Sequence, residues 1–278
     1  MKKIISNFPT VSRFVLAGLL FVVALVASGW IEKAFHITRN FPFVSIIFLI
    51  AGTWILYKTD NKSLKAIGLN VTVKHILFLL LGLIIGAVAF GIVIGLRSIY
   101  TGEEWHIRSV IDSKEFLRGL YFILPSVIVQ ELIFRGYLFT KTIEKTTVVK
   151  ANIIFAILFM LVHVLDRDVL KNPSQVIVLA VSIPVGHLLF ATGLLRARTL
   201  FFPIGLHWGN NWATNFLVNQ ANSHSILYTD QKQIGSWFSF IVILLIFNGF
   251  YLLLTFLILK KKKKQSTEIK SGTSLSPL

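Results

Sequence analysis

The sequence predicts an all-α integral membrane protein in which about eight transmembrane helices enclose a polar intramembrane cavity. Three observations predict it. The 278 residues are 55% hydrophobic and only 14% charged, with a mean hydropathy of +0.74, whereas soluble domains are about one-quarter charged. Eight apolar runs are present, and about 20 residues cross roughly 30 Å of hydrocarbon. Three of those runs carry polar side chains, which are costly in a bilayer and mark function when they occur there.

The runs fall at residues 12–31, 41–57, 75–96, 115–140, 150–166, 174–195, 200–219 and 236–259. The first follows a basic start, as in a signal peptide. It is long and lacks a small-residue cleavage site, so it reads as an uncleaved span. The third carries Gly82 and Gly86, then Gly91 and Gly95, two small-xxx-small pairs that let helices approach closely and point to internal packing. Asp166, Arg167, Asp168, Asn172 and Pro173 crowd the connection after the fifth run. No internal repeat is visible. Five lysines from Lys260 make a stop-transfer flank, and the Ser/Thr/Gly/Pro remainder reads as a disordered tail. The chain thus divides into residues 1–112 with three helices, a core at 113–220 with four, a last helix within 221–260, and a basic tail at 261–278.

The formal charge of +16 would suit nucleic acid, but the basic residues gather between and after the apolar runs. That placement fits anionic lipid headgroups and predicts no nucleic-acid partner. With eight spans, the N-terminus, the even-to-odd connections and the tail hold about twice as many Lys and Arg as the opposite connections. The positive-inside rule then places both termini in the cytoplasm. The composition suits a bacterial plasma membrane. There is no cysteine, which excludes disulfides, thiolate metal sites and cysteine nucleophiles.

Helical spacing sorts the intramembrane polar residues. Glu131 and Arg135 are i and i+4, so they share a face and can pair. Gln130 is turned about 100° from Glu131 and faces a different neighbour. His207 and Asn211 are again i and i+4, so both can enter one cavity. With Lys141, Lys150 and Leu200 at the cytoplasmic ends, Gln130, His163, His207 and Asn211 lie roughly 16, 20, 10 and 16 Å deep. Three separate helices therefore bring polar groups to similar levels. His187 reads as a helix–helix hydrogen bonder, Asn210 as a cap or neighbour contact, and His36, His75, His106 and His224 as end and loop residues.

Three motifs on these helices resemble the CPBP family of intramembrane endopeptidases, named for CAAX-prenyl-protein and bacteriocin processing and also called the Abi family. They are Gln130-Glu131-Leu-Ile-Phe-Arg135, where the family has E-E-x-x-x-R, then Phe159-Met-Leu-Val-His163 and His207-Trp-Gly-Asn-Asn211. The resemblance covers roughly residues 113–220. It implies peptide hydrolysis in a cavity open to the cytoplasm, acting on a peptide or prenylated-protein substrate beside membrane lipids. The implied catalytic residues are Glu131, His163, His207 and Asn211, with His163 activating water and His207 and Asn211 donating to the oxyanion. Arg135 orients Glu131, and Phe159 supports the site.

The chain departs from the family at Gln130, since an amide cannot accept a proton near neutral pH. Losing a general base costs about 10²–10⁴ in rate. Glu131 takes over as base, His163 serves alone, or the protein is a degenerate binding, immunity or regulatory module. No cofactor is expected. Zinc is the rival for two His and a carboxylate, but no H-E-x-x-H is present and Gln130 removes one hard ligand. A small-solute transporter is a third class.

Overall fold

The computed structural model describes residues 9–37, 41–109, 111–219, 222–230 and 235–260. The predicted tail at 261–278 lies outside the described residues. Each apolar run forms a helix close to its expected place. Helix α1 spans Pro9–Phe35, α2 Val44–Thr59 and α3 Val73–Thr101. Helix α4 spans Ser113–Arg135, breaks at Gly136 and continues as the short α5, Tyr137–Lys145. Helix α6 spans Val148–Val164, α7 Arg167–Leu170 and α8 Pro173–Ala197. Helix α9 spans Phe201–Trp212 and runs on as a π turn through Leu217, and α10 spans Trp237–Lys260.

Among the described residues, five segments are long and apolar enough to cross a membrane: α1, α3, α4 with α5, α8 and α10. The expected all-α, multi-pass architecture stands, with shorter apolar helices among its segments. Helices α2 and α6 have 16 and 17 residues, a rise of about 24–26 Å. Helix α9 has only 12 before its π turn. The shortest is the one enclosed by its neighbours: Leu206 is fully buried, and Ile204 and Phe202 nearly so. A helix wrapped in protein need not match the bilayer thickness.

The chain still reverses at every one of these segments. At one end, Arg13 at the start of α1 pairs with Asp60 after α2, and Lys141 of α5 reaches the same Asp60 at 2.6 Å. Lys62 pairs with Glu144 of α5. Thr199, between α8 and α9, donates to Gly68 O at 2.8 Å. The start of α1, the connection after α2, the end of α5 and the connection between α8 and α9 therefore meet, as the alternation requires. At the opposite end, β1 (Trp105–Ile107) pairs antiparallel with β2 (Leu227–Thr229), joining the connection after α3 to the one before α10.

Helices α3 and α9 meet backbone to backbone. A Cβ on Gly82 would lie 2.5 Å from Phe202 O, and one on Gly86 2.1 Å from Leu206 O. In return, a Cβ on Gly205 would lie 2.1 Å from Leu79 O, and one on Gly209 2.0 Å from Leu83 O. Both helices thus contribute glycines four apart, and only glycine permits this approach. Gly91 meets just the Leu217 side chain at 3.4 Å, and Gly95 has nothing within 4 Å. The expected internal packing is met by the first glycine pair and not by the second.

Candidate functional site

Helix α9 presents opposite faces to two environments. His207 lies two residues from both Gly205 and Gly209, a turn of about 200°. The glycines fix one face on α3, and His207 and Asn211 look the other way. Trp208 Nε1 donates to Leu120 O of α4 at 3.0 Å and fastens the helix from the side.

The outward face borders a cavity of about 250 Å³ between α6, α8, α9 and α10. His163, His207, Asn210 and Asn211 line it, together with Phe159, Phe190, Ser182, Asn248 and Tyr251. The second and third motifs therefore converge as their spacing implied. Gln130 and Glu131 are not among the lining residues. Gln130 keeps its Oε1 buried, with no hydrogen-bond partner among the described residues.

Glu131 lies one layer behind. It is fully buried, as is Arg135, and its Oε1 accepts from Arg135 Nη1 at 3.0 Å. The same oxygen lies 2.8 Å from His207 Nδ1. A carboxylate only accepts, so His207 carries its proton on Nδ1, and Nε2 is left as the lone-pair nitrogen for the cavity. His163 is set the same way. Its Nδ1 lies 2.8 Å from Phe159 O, a carbonyl that also only accepts, so Nε2 again remains.

Aromatic rings hold this layer in place. Phe159 lies under the Arg135 guanidinium at 4.2 Å and Phe190 at 5.2 Å, distances at which a cation is attracted to the ring face. Phe190 also stacks on His207, with centroids 4.6 Å apart and planes 16° from parallel. Phe159 therefore serves two members of the site, through its carbonyl to His163 and its ring to Arg135. The buried Arg–Glu–His line has its charges paired, as burial demands.

His187 does not fill the role expected of it. It is fully buried, and neither ring nitrogen has a hydrogen-bond partner among the described residues. It packs instead between rings, 5.7 Å from Phe139 and 6.5 Å from Phe159. Asn210 does contact a neighbour, as expected, accepting from Tyr251 Oη of α10. Ser182, Phe190, Asn248 and Tyr251 were not singled out in the sequence. The available signal was Asn248 and Tyr251, three apart in a strongly apolar run. Among the described residues, no three His, Cys, Asp or Glu side chains gather as metal ligands would.

Residues 112–213 match the family model described as Rce1-like, type II CAAX prenyl endopeptidase. Over these residues the chain resembles that family. The match runs from the start of α4 to the π turn and contains all three motifs. No curated protein and no solved structure matches the chain closely enough to add a relative. The family so matched is one of CAAX prenyl endopeptidases. The match ends before α10.

Proposed function

We propose that the protein is an intramembrane endopeptidase of the CAAX-processing type, with the Glu131–His207 pair replacing the carboxylate missing at Gln130. The observation that carries this reading is the 2.8 Å contact between Glu131 Oε1 and His207 Nδ1 at the cavity wall. A buried carboxylate behind an imidazole fixes its tautomer and stabilises the imidazolium that forms when Nε2 takes a proton. This moves the base from residue 130 to His207.

The reaction then runs as follows. Water bound at the cavity wall gives a proton to His207 Nε2 as its oxygen attacks the scissile carbonyl carbon. His163 Nε2 accepts the second water hydrogen bond and orients the oxygen. The carbonyl oxygen becomes an oxyanion facing Asn211 Nδ2, a donor worth about 3 kcal/mol when aimed at developing charge. The C–N bond breaks, and the proton on His207 passes to the leaving amine. The substrate class is a peptide near a membrane-bound C-terminus, prenylated or otherwise lipid-held. The cavity opens toward the cytoplasm, with both termini on that side.

Cleavage of a prenylated and unprenylated peptide library in liposomes tests this. Wild type cuts at one position, and His207→Ala, folded and monodisperse, does not. A competing reading, a membrane binding or immunity protein without turnover, rests on Gln130. It predicts that wild type retains peptide without cutting it.

A further inference from the structure

Helix α10 lies beyond the matched core yet forms a wall of the cavity through Phe247, Asn248 and Tyr251. Two of these residues are polar and nearly buried, Asn248 at 5% exposure and Tyr251 at 6%. Asn248 Nδ2 donates to Ser182 Oγ of α8 at 3.2 Å and to Leu244 O at 2.8 Å. That is a helix-to-helix fastening.

Tyr251 makes a different contact. Its hydroxyl donates to Asn210 Oδ1. An amide oxygen held by a phenol turns the NH₂ of Asn210 the other way, toward Asn211, whose Oδ1 it reaches at 3.5 Å. With its oxygen turned to Asn210, Asn211 presents its own NH₂ elsewhere. Among the described residues, that nitrogen meets no protein acceptor, and Asn211 lines the cavity. The orientation matters because the two ends of an asparagine amide have nearly the same shape and opposite polarity. Turned half a rotation, Asn211 would aim a carbonyl at the oxyanion and oppose the reaction.

We propose that Tyr251 is a positioning residue for peptide hydrolysis: through Asn210 it sets the Asn211 amide with Nδ2 toward the nascent oxyanion. The inference rests on the proposed role of Asn211 as oxyanion donor. It also gives α10 a part in the chemistry. The contrasting role for Tyr251 is that of a strut, a hydrogen bond that merely ties α10 to α9.

Tyr251→Phe removes the hydroxyl and keeps the ring beside Phe247, whose centroid is 5.3 Å away. For a positioning residue, kcat falls about tenfold, a fraction of the 10²–10³ that a whole oxyanion donor supplies, and KM stays within about twofold. In an Asn211→Ala background, the same substitution changes kcat less than about twofold, since the group it orients is gone. Equal losses in both backgrounds, or unchanged kcat, would overturn the proposal. A second measurement does not need turnover. In protein labelled with ¹⁵N-asparagine, the side-chain amide signals lost in Asn211→Ala belong to Asn211, and Tyr251→Phe shifts them. If wild type cuts no peptide, the protease reading fails and these signals alone decide the positioning; unmoved Asn211 signals overturn it.

Discussion

The two faces of α9 solve opposite problems with the same spacing. On one face, Gly205 and Gly209 remove side chains so that the backbone can rest against Gly82 and Gly86 of α3. On the other, His207 and Asn211 project side chains into a cavity of about 250 Å³. The glycine seam has no chemistry and tolerates almost no added atom. The cavity wall has the chemistry, and its outermost side chains can be shortened without forcing anything aside. A helix of 12 residues is therefore positioned by what it lacks on one side and acts through what it carries on the other. The placement of the cavity wall is supplied by a seam on the opposite face of the helix.

The seam should break first and hardest. Gly86→Leu puts a side chain where even a Cβ would lie 2.1 Å from Leu206 O, and because backbone lies on both sides, the helices must part. The expected outcome is loss of monodisperse protein on size exclusion in detergent. Gly95→Leu, at a position with nothing within 4 Å, should leave the elution and melting profiles unchanged. A well-behaved Gly86→Leu protein would mean the seam does not position α9.

Next in size is the layer behind the cavity. Arg135→Gln leaves the fully buried Glu131 with one partner instead of two, and breaking a buried pair costs about 3–5 kcal/mol. Denaturant or thermal unfolding should register that loss, together with loss of cleavage. An unshifted midpoint would show that the pair does not support the fold. At the cavity wall itself, Asn211→Ala should unfold much as wild type does while cleavage drops about 10²–10³. This result sharpens the contrast, because the seam variant fails in folding and the wall variant in rate.

The smallest effect belongs to the polar connections. Lys62 and Glu144 pair with side chains more than 40% exposed, and such pairs contribute about 0–1 kcal/mol. Lys62→Ala should shift the melting midpoint only marginally, at any salt concentration. A loss comparable to that of Arg135→Gln would place this end of the molecule among its principal supports.

What could be read in the sequence follows the physics of each feature. Apolar runs announce helices, so all eight lay near their places, but hydropathy cannot tell a helix facing lipid from one enclosed by neighbours. That is why α9 read as a span. The three motif helices were legible because i, i+4 spacing puts Glu131 beside Arg135 and His207 beside Asn211 whatever surrounds them. The contact of Glu131 with His207 joins residues 76 positions apart, and no local period encodes it. For the same reason, Gly82 and Gly86 signalled close packing without naming Gly205 and Gly209 as partners. Tyr251 and Asn248 sat inside a run that read only as the last transmembrane helix. The ribbon of β1 and β2, three residues each, is too short to leave an alternating pattern.

The central claim is that the Glu131–His207 pair, and not residue 130, supplies the base. Cleavage by Glu131→Gln and Gln130→Glu, each verified as folded by its melting profile, tests it most directly. Glu131→Gln keeps the size of the side chain and removes the charge behind His207, so kcat should fall about 10²–10⁴. Gln130→Glu adds a carboxylate that does not line the cavity, so kcat should stay within about threefold of wild type or decline. A Gln130→Glu protein faster by powers of ten, with Glu131→Gln still active, would contradict the account and return the base to residue 130.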